Sequence, residues 1–128
     1  MIQSTMPILD VEVVGPVPES LSQDLARRIA DAAGEALQSR PQGTWVRLRF
    51  LSEDAYAENG SGPGKGLCPV LVSLLESQPP TGQALSDRLS RLTVAIAGAC
   101  GRPAHSVHIV VEPAAAGRVS FGGKLFIE

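Results

Sequence analysis

Pro7 is the residue of this 128-residue chain whose chemistry depends most on its context. It follows Met6 and opens the run Ile8-Leu9-Asp10-Val11-Glu12-Val13. A proline has no N–H to give to a strand ladder, so it suits the first residue of a strand or an edge. If translation starts at Met6 and that methionine is removed, the Pro7 nitrogen is a terminal secondary amine that takes up and releases protons. If residues 1–6 are retained, the same nitrogen is an amide with no useful basicity. A terminal amine ordinarily titrates near pH 8, and a secondary amine is more basic, whereas a base for carbon acids works best tuned close to about pH 7. Partial burial and nearby cations both disfavour the protonated amine. The cations expected nearby are Arg47 and Arg49. An arginine so placed holds a carboxylate through two parallel hydrogen bonds and stabilises an enolate as it develops. The competing reading pairs Arg47 and Arg49 with Asp10 and Glu12, which lie on the matching face of the first strand.

The elements that must position these groups follow from periodicity. Trp45-Val46-Arg47-Leu48-Arg49-Phe50 alternates strictly and reads as a strand, with Val46, Leu48 and Phe50 on the apolar side and Trp45, Arg47 and Arg49 on the other. Between the two strands, Gly15-Pro16-Val17-Pro18 is a turn, and Ser20 with Gln23 reads as a capping box. Leu21, Leu25, Ile29, Ala32, Ala33 and Ala36 then form a helical stripe that ends near Ser39-Arg40-Pro41. The order repeats further on. Pro69-Val70-Leu71-Val72-Ser73-Leu74-Leu75 is a strand that again begins with proline. Gln78-Pro79-Pro80-Thr81-Gly82 is a turn with Thr81 as N-cap. Leu85, Leu89, Leu92, Ile96 and Cys100 make a second stripe, ended by Gly101-Arg102-Pro103, and Ser106 to Glu112 is the partner strand. Pro7 and Pro69 stand 62 positions apart, as do Pro41 and Pro103, and Val46 and Val107 stand 61 apart. Matching offsets in matching order indicate an internal duplication.

The fold class expected is therefore α+β: two tandem β-α-β units sharing a four-stranded mixed sheet with two helices on one face. The chain is expected to be a single domain, residues 1–128, made of pseudo-repeats at about 7–60 and 69–128. The uncovered face would carry Trp45, Arg47 and Arg49 from one unit and His108 and Val110 from the other. An exposed sheet face of this kind favours a closed homo-oligomer. Val119 to Phe126 reads as a hairpin or edge strand with a Gly-Gly turn, able to pair with a neighbouring subunit's sheet edge.

Composition narrows the function classes. A net charge of −2 gives no reason to expect nucleic acid or membrane-surface binding. No apolar run approaches the roughly 20 residues of a membrane span, and no signal peptide is visible. Cys68 and Cys100 are far apart, which suits a reduced, cytoplasmic chain. His105 and His108 would point to opposite faces of a strand and make a poor metal pair, so no metal is expected. Asn59 to Gly66 reads as a flexible connection. Its glycines lack the spacing of a phosphate loop and lead into a strand, not a helix.

In these elements the sequence resembles the tautomerase superfamily, in particular its 4-oxalocrotonate tautomerase-like and macrophage migration inhibitory factor-like families. The residues that carry the resemblance are Pro69 to Val72, Arg102-Pro103 through Ser106 to Glu112, and Gly117-Arg118-Val119-Ser120-Phe121-Gly122-Gly123, with the first half repeating the order. The chain is similar to fused, two-unit members, which implies a homotrimer. The resemblance implies that Pro7 is the catalytic proline, acting on small carboxylate substrates without a cofactor. Pro69 matches the same motif, but its nitrogen is an amide inside the chain, so a trimer would hold three competent sites, not six. The family's carboxylate-holding arginine on the second strand falls on Arg47, with His108 in that place in the second unit. The family's other arginine has no equivalent, since Val17 and Pro79 lie near its position.

Further candidates for substrate contact are Tyr56 and Asn59 beyond the second strand, with loop surface as the alternative reading. Arg118 in the hairpin would reach a neighbouring active site or remain solvated. Two function classes follow. One is a cofactor-independent tautomerase or isomerase of unsaturated 2-oxo or 2-hydroxy acids with Pro7 as general base. The other is a non-catalytic oligomer of the same fold, with Pro7 capped by residues 1–6.

Overall fold

The structure is a computed structural model that describes residues 6–60 and 68–127. Residues 1–5, on which the state of the Pro7 nitrogen turns, and most of the glycine-rich connection, residues 61–67, lie outside the described residues. Strand β1 (Ile8–Val14) is followed by a single helical turn, α1 (Glu19–Ser22), helix α2 (Leu25–Leu37) and strand β2 (Trp45–Leu51). The second half runs β3 (Val70–Leu75), α3 (Gly82–Cys100) and β4 (Val107–Val111), then the short strands β5 (Val119–Phe121) and β6 (Lys124–Phe126).

The four long strands form one mixed sheet in the order β2-β1-β3-β4. Each β-α-β unit joins a parallel pair, β1 with β2 and β3 with β4, and the two units meet antiparallel along β1 and β3. Alternation along β1 sends Leu9, Val11 and Val13 toward the helices, level with Val70, Val72 and Leu74 of β3. Leu25, Ile29, Ala33 and Leu37 of α2 and Leu92, Ile96 and Cys100 of α3 pack onto them in one buried cluster. Among the described residues no helix packs on the other side of the sheet. It carries Trp45, Arg47 and Arg49 of β2, Asp10 and Glu12 of β1, Ser73 of β3 and His108 and Val110 of β4, as the alternation requires. Val110 is 63% exposed there.

The start of the first helix departs from the capping-box reading. Helical backbone begins at Glu19 with Pro18 in the N-cap position, and the Ser20 side chain caps nothing. The helix then breaks, because Asp24 adopts a left-handed conformation (φ 60°) and α2 restarts at Leu25. The break lets Leu21 leave the α2 stripe and pack against Gly101, where any Cβ would stand 2.5 Å from Leu21 Cδ1. Gly101 also closes α3 in a left-handed conformation (φ 67°), which glycine adopts without strain. Arg102 beyond it ties the two units together, donating to the carbonyls of Cys68 (2.6 Å) and Pro16 (2.9 Å).

Candidate active site

Pro7 stands where the chain enters β1. Its carbonyl accepts the Trp45 N–H at 3.0 Å, which extends the β1–β2 ladder by one step and fixes the strand end. Its ring points toward the helices and is fully buried. The residue before it, Met6, has φ 50°, a backbone region that residues with a Cβ seldom occupy. Met6 lines, with Ile8 and Leu75, a recess closed by Val119, Phe121 and Phe126.

That closure is the work of the C-terminal hairpin. Gly122 and Gly123 take φ values of 61° and 89°, the geometry of the tight turn expected from the Gly-Gly pair. The hairpin forms its own two-stranded sheet and folds back over the Pro7 end of the same chain. Phe121 meets the Trp45 ring edge to face at 5.3 Å and Phe126 at 5.7 Å, so three aromatic rings form one wall. Two cations stand at this end. Arg40, at the turn between α2 and β2, donates from Nη2 to Met6 Sδ at 3.5 Å. Arg118 opens the hairpin and donates to the Ala114 carbonyl at 2.9 Å.

Under the same end of the sheet lies a buried ion pair. The register of β1 with β3 pairs Ile8 with Leu75, so Glu76 is the next residue across from Pro7. Its carboxylate points inward and accepts from Arg88 of α3. Glu76 Oε1 and Arg88 Nε are buried and have no hydrogen-bond partner among the described residues.

Arg47 lies one pleat further along the open face, and its Nε donates to Asp10 Oδ1 at 2.7 Å. That hydrogen bond, with the carboxylate's charge, moves the guanidinium above its already high ordinary pKa. Arg49 makes a looser pair with Glu12 at 3.9 Å. The pairings expected as the competing reading of both arginines are thus present. His108 is level with Leu71, which is level with Glu12, so it sits two strands away and toward the opposite end. Tyr56 and Asn59 follow the end of β2, and the Tyr56 hydroxyl donates to Glu58 at 2.7 Å, which moves the phenol up from its usual pKa. A seven-residue strand spans about 20 Å. Within one chain, Pro7 therefore shares its surroundings with Arg47 and Arg118 but not with His108, Tyr56 or Asn59.

Sequence reasoning missed Arg40, Met6 as a lining residue, the Phe121 and Phe126 wall, and the Glu76–Arg88 pair. Arg40 carried one signal: it stands immediately before the Pro41 that returns the chain to β2, whose first residue hydrogen-bonds Pro7. The Glu76–Arg88 pair had none, since nothing in a single sequence tells an inward carboxylate from an outward one at a strand end. Among the described residues no three His, Cys, Asp or Glu side chains gather as a metal site. A wider groove at the opposite end, between Gly15, Pro16, Val17 and Phe50, is lined by Glu53 and Asp54 and by no cation, which suits a carboxylate poorly.

No protein-family model and no curated protein sequence matches the chain. Solved structures do match in three dimensions. A fused 4-OT wild-type symmetric trimer superposes with a TM-score of 0.74 at 14% identity, covering 92% of this chain and 94% of that one. Pt0534 inactivated by 2-oxo-3-pentynoate superposes at 0.71 with 13% identity, covering 92% and 94%. Macrophage migration inhibitory factor from Toxoplasma gondii superposes at 0.68 with 12% identity, covering 93% and 99%. The fold is that shared by the tautomerases and macrophage migration inhibitory factor, as the resemblance implied.

Proposed function

We propose that the chain is a member of the tautomerase superfamily and a cofactor-independent tautomerase or isomerase, with Pro7 as general base once it is the first residue. The observation that carries the reading is Pro7 itself. It is a buried proline at the entry to β1, beside a recess with a cation at its edge, in the fold shared by fused 4-OT and macrophage migration inhibitory factor. The free amine takes a proton from the carbon next to a 2-oxo group, and the C–H electron pair moves to form the enolate. The resulting ammonium returns the proton to oxygen or to a conjugated carbon, so no redox partner is required. Arg40 and Arg47 supply positive charge for the substrate carboxylate and the developing enolate. Once Pro7 is the first residue, burial of its ring would disfavour the protonated amine.

The open sheet face, with Val110 and Trp45 exposed, is proposed as the contact surface of a homotrimer of about 40 kDa, three copies of the 13.4 kDa chain. In such an assembly His108, Tyr56 and Asn59 would belong to sites completed by neighbours. Described helices long and apolar enough to cross a membrane are absent, and Cys68 and Cys100 are free thiols, which suits a cytoplasmic location. The second reading, a non-catalytic oligomer, is favoured by two contacts: Arg47 is occupied by Asp10, and Arg40 by the Met6 sulfur. The test is ketonisation of phenylenolpyruvate or 2-hydroxymuconate by a chain that begins at Pro7. Activity that falls by orders of magnitude on Pro7→Ala supports the enzyme, and an unchanged rate rejects it.

A further inference from the structure

We propose that Glu76 is a positioning residue for the Pro7 amine: Arg88 holds one oxygen of its buried carboxylate, and the other accepts a hydrogen bond from the nitrogen once Pro7 is the first residue. The inference rests on the reading of Pro7 as the site and names the group that holds its nitrogen. Three observations support it. The β1–β3 register, in which Leu9 faces Leu74 and Ile8 faces Leu75, continues to Pro7 and Glu76. The Val14 N–H donates at 3.1 Å to the carbonyl of Pro69 directly opposite, so hydrogen-bonded pairs fall at every second step from there, down to Ile8 and Leu75. Pro7 and Glu76 are therefore a close, non-hydrogen-bonded pair, with Cα atoms about 4.5 Å apart and side chains on the same, helix-facing side. Both residues are buried. Glu76 Oε1 has no hydrogen-bond partner among the described residues, and a buried carboxylate oxygen left in that state is costly.

The Pro7 nitrogen supplies what Oε1 lacks. As a proline amide it carries no hydrogen, so a chain that keeps residues 1–6 offers Oε1 no donor from this nitrogen. As a terminal amine it carries one N–H, and as an ammonium two. An N–H held by Oε1 fixes the remaining position on the nitrogen, the lone pair that takes the substrate's proton. The cations at this end of the sheet oppose protonation of the amine. They are Arg88 of α3, Arg40 of the turn before β2, Arg118 of the hairpin, and Arg47 of β2 with its partner Asp10 of β1. Burial opposes protonation as well. The Glu76 carboxylate, one strand away, offsets both and keeps the amine's titration close to the working pH.

The test is an NMR titration of the Pro7 amine, in chains that begin at Pro7 and carry ¹⁵N there, beside the pH profile of kcat/KM for phenylenolpyruvate. Glu76→Leu with Arg88→Met removes the acceptor while leaving an apolar pair of similar volume, so the fold is kept. In that double variant the amine is expected to titrate about one unit or more below its value in the unaltered chain, with the kcat/KM profile moving alongside. Arg88→Lys keeps a cation on the carboxylate and is expected to leave the titration where it was. The proposal is overturned if the double variant titrates at the same pH as the unaltered chain. In that case Oε1 closes on the other unpartnered atom, Arg88 Nε, and the pair serves stability alone. A shift in Arg88→Lys as large as in the double variant also overturns it, because the carboxylate is then not the group responsible. Failure of the two readings can be told apart. A titration that the double variant moves, in a chain without turnover, rejects the amine mechanism alone. Turnover that depends on Pro7, with a titration that the double variant does not move, rejects the role of Glu76 alone.

Discussion

Replacing Arg88 with methionine keeps most of the side chain's length but removes its charge, and so leaves the Glu76 carboxylate without its partner. The Glu76 side chain is 0% exposed and that of Arg88 14% exposed, so neither is rescued by bulk water. Breaking a buried pair from one side costs about 3–5 kcal/mol, because the surviving charge has lost both its solvent and its counter-charge. A domain of this size has a total stability of roughly 5–15 kcal/mol, so about a fifth or more of it should disappear. The loss falls at the Pro7 end of the sheet, since the Glu76 carbonyl also accepts the Ala115 N–H at 2.9 Å and so anchors the chain leaving β4. Urea unfolding at a fixed protein concentration is the assay. With a slope of about 1–3 kcal/mol per molar urea, the midpoint should drop by about 2 M. The double variant Glu76→Leu with Arg88→Met removes both charges and should recover most of the loss, because an apolar pair of similar volume does as well as a buried ion pair. The reasoning is refuted if Arg88→Met costs less than about 1 kcal/mol, or if the double variant loses the sum of the two single changes.

Three further outcomes are expected. Gly101→Ala should lower the melting temperature by several degrees, because it adds a Cβ at φ 67° and into contact with Leu21, and Leu21→Ala should restore part of the loss. Burial raises the Cys100 thiol above its ordinary pKa, with Arg102 and Arg28 opposing the shift. Its contribution to stability is therefore complete below the unfolded thiol value of about 8.5 and is lost as the pH rises toward the folded value. Cys100→Ala should flatten that alkaline arm in denaturation curves measured between pH 7 and about 10. In a chain beginning at Pro7, Arg40→Gln should raise KM for a monocarboxylate about tenfold or more. Arg47→Gln should change KM less, since its guanidinium is already held by Asp10, and steady-state kinetics separates the two.

The parts of the fold that were legible were those set by local periodicity. The alternation of Trp45 to Phe50 put Arg47 and Arg49 on the open face, and the matched strand-starting prolines gave the duplication and the sheet. The capping box at Ser20 failed because local pattern cannot register that Leu21 gains more by packing against Gly101, eighty positions away, than by continuing the α2 stripe. Of the residues around the proposed site, the sequence singled out Pro7 and the nearby arginine of β2. Parallel crossovers carry the end of β2 away from Pro7, so Tyr56 and Asn59, close to Arg47 in the chain, finish at the other end of the sheet. Arg40, Phe121 and Phe126 come to Met6 only through the α2–β2 turn and the folded-back hairpin, contacts that no spacing rule encodes.

The central claim is that the Pro7 nitrogen is the base, and one titration tests it most directly. In a chain beginning at Pro7 and carrying ¹⁵N at that residue, the amine's ionisation is followed by NMR across pH and set beside the pH profile of kcat/KM for phenylenolpyruvate. The account predicts a Pro7 amine that titrates close to about pH 7 and a kcat/KM that rises with the same pKa. A Pro7 nitrogen that stays protonated throughout the range in which the protein is fully active would contradict it.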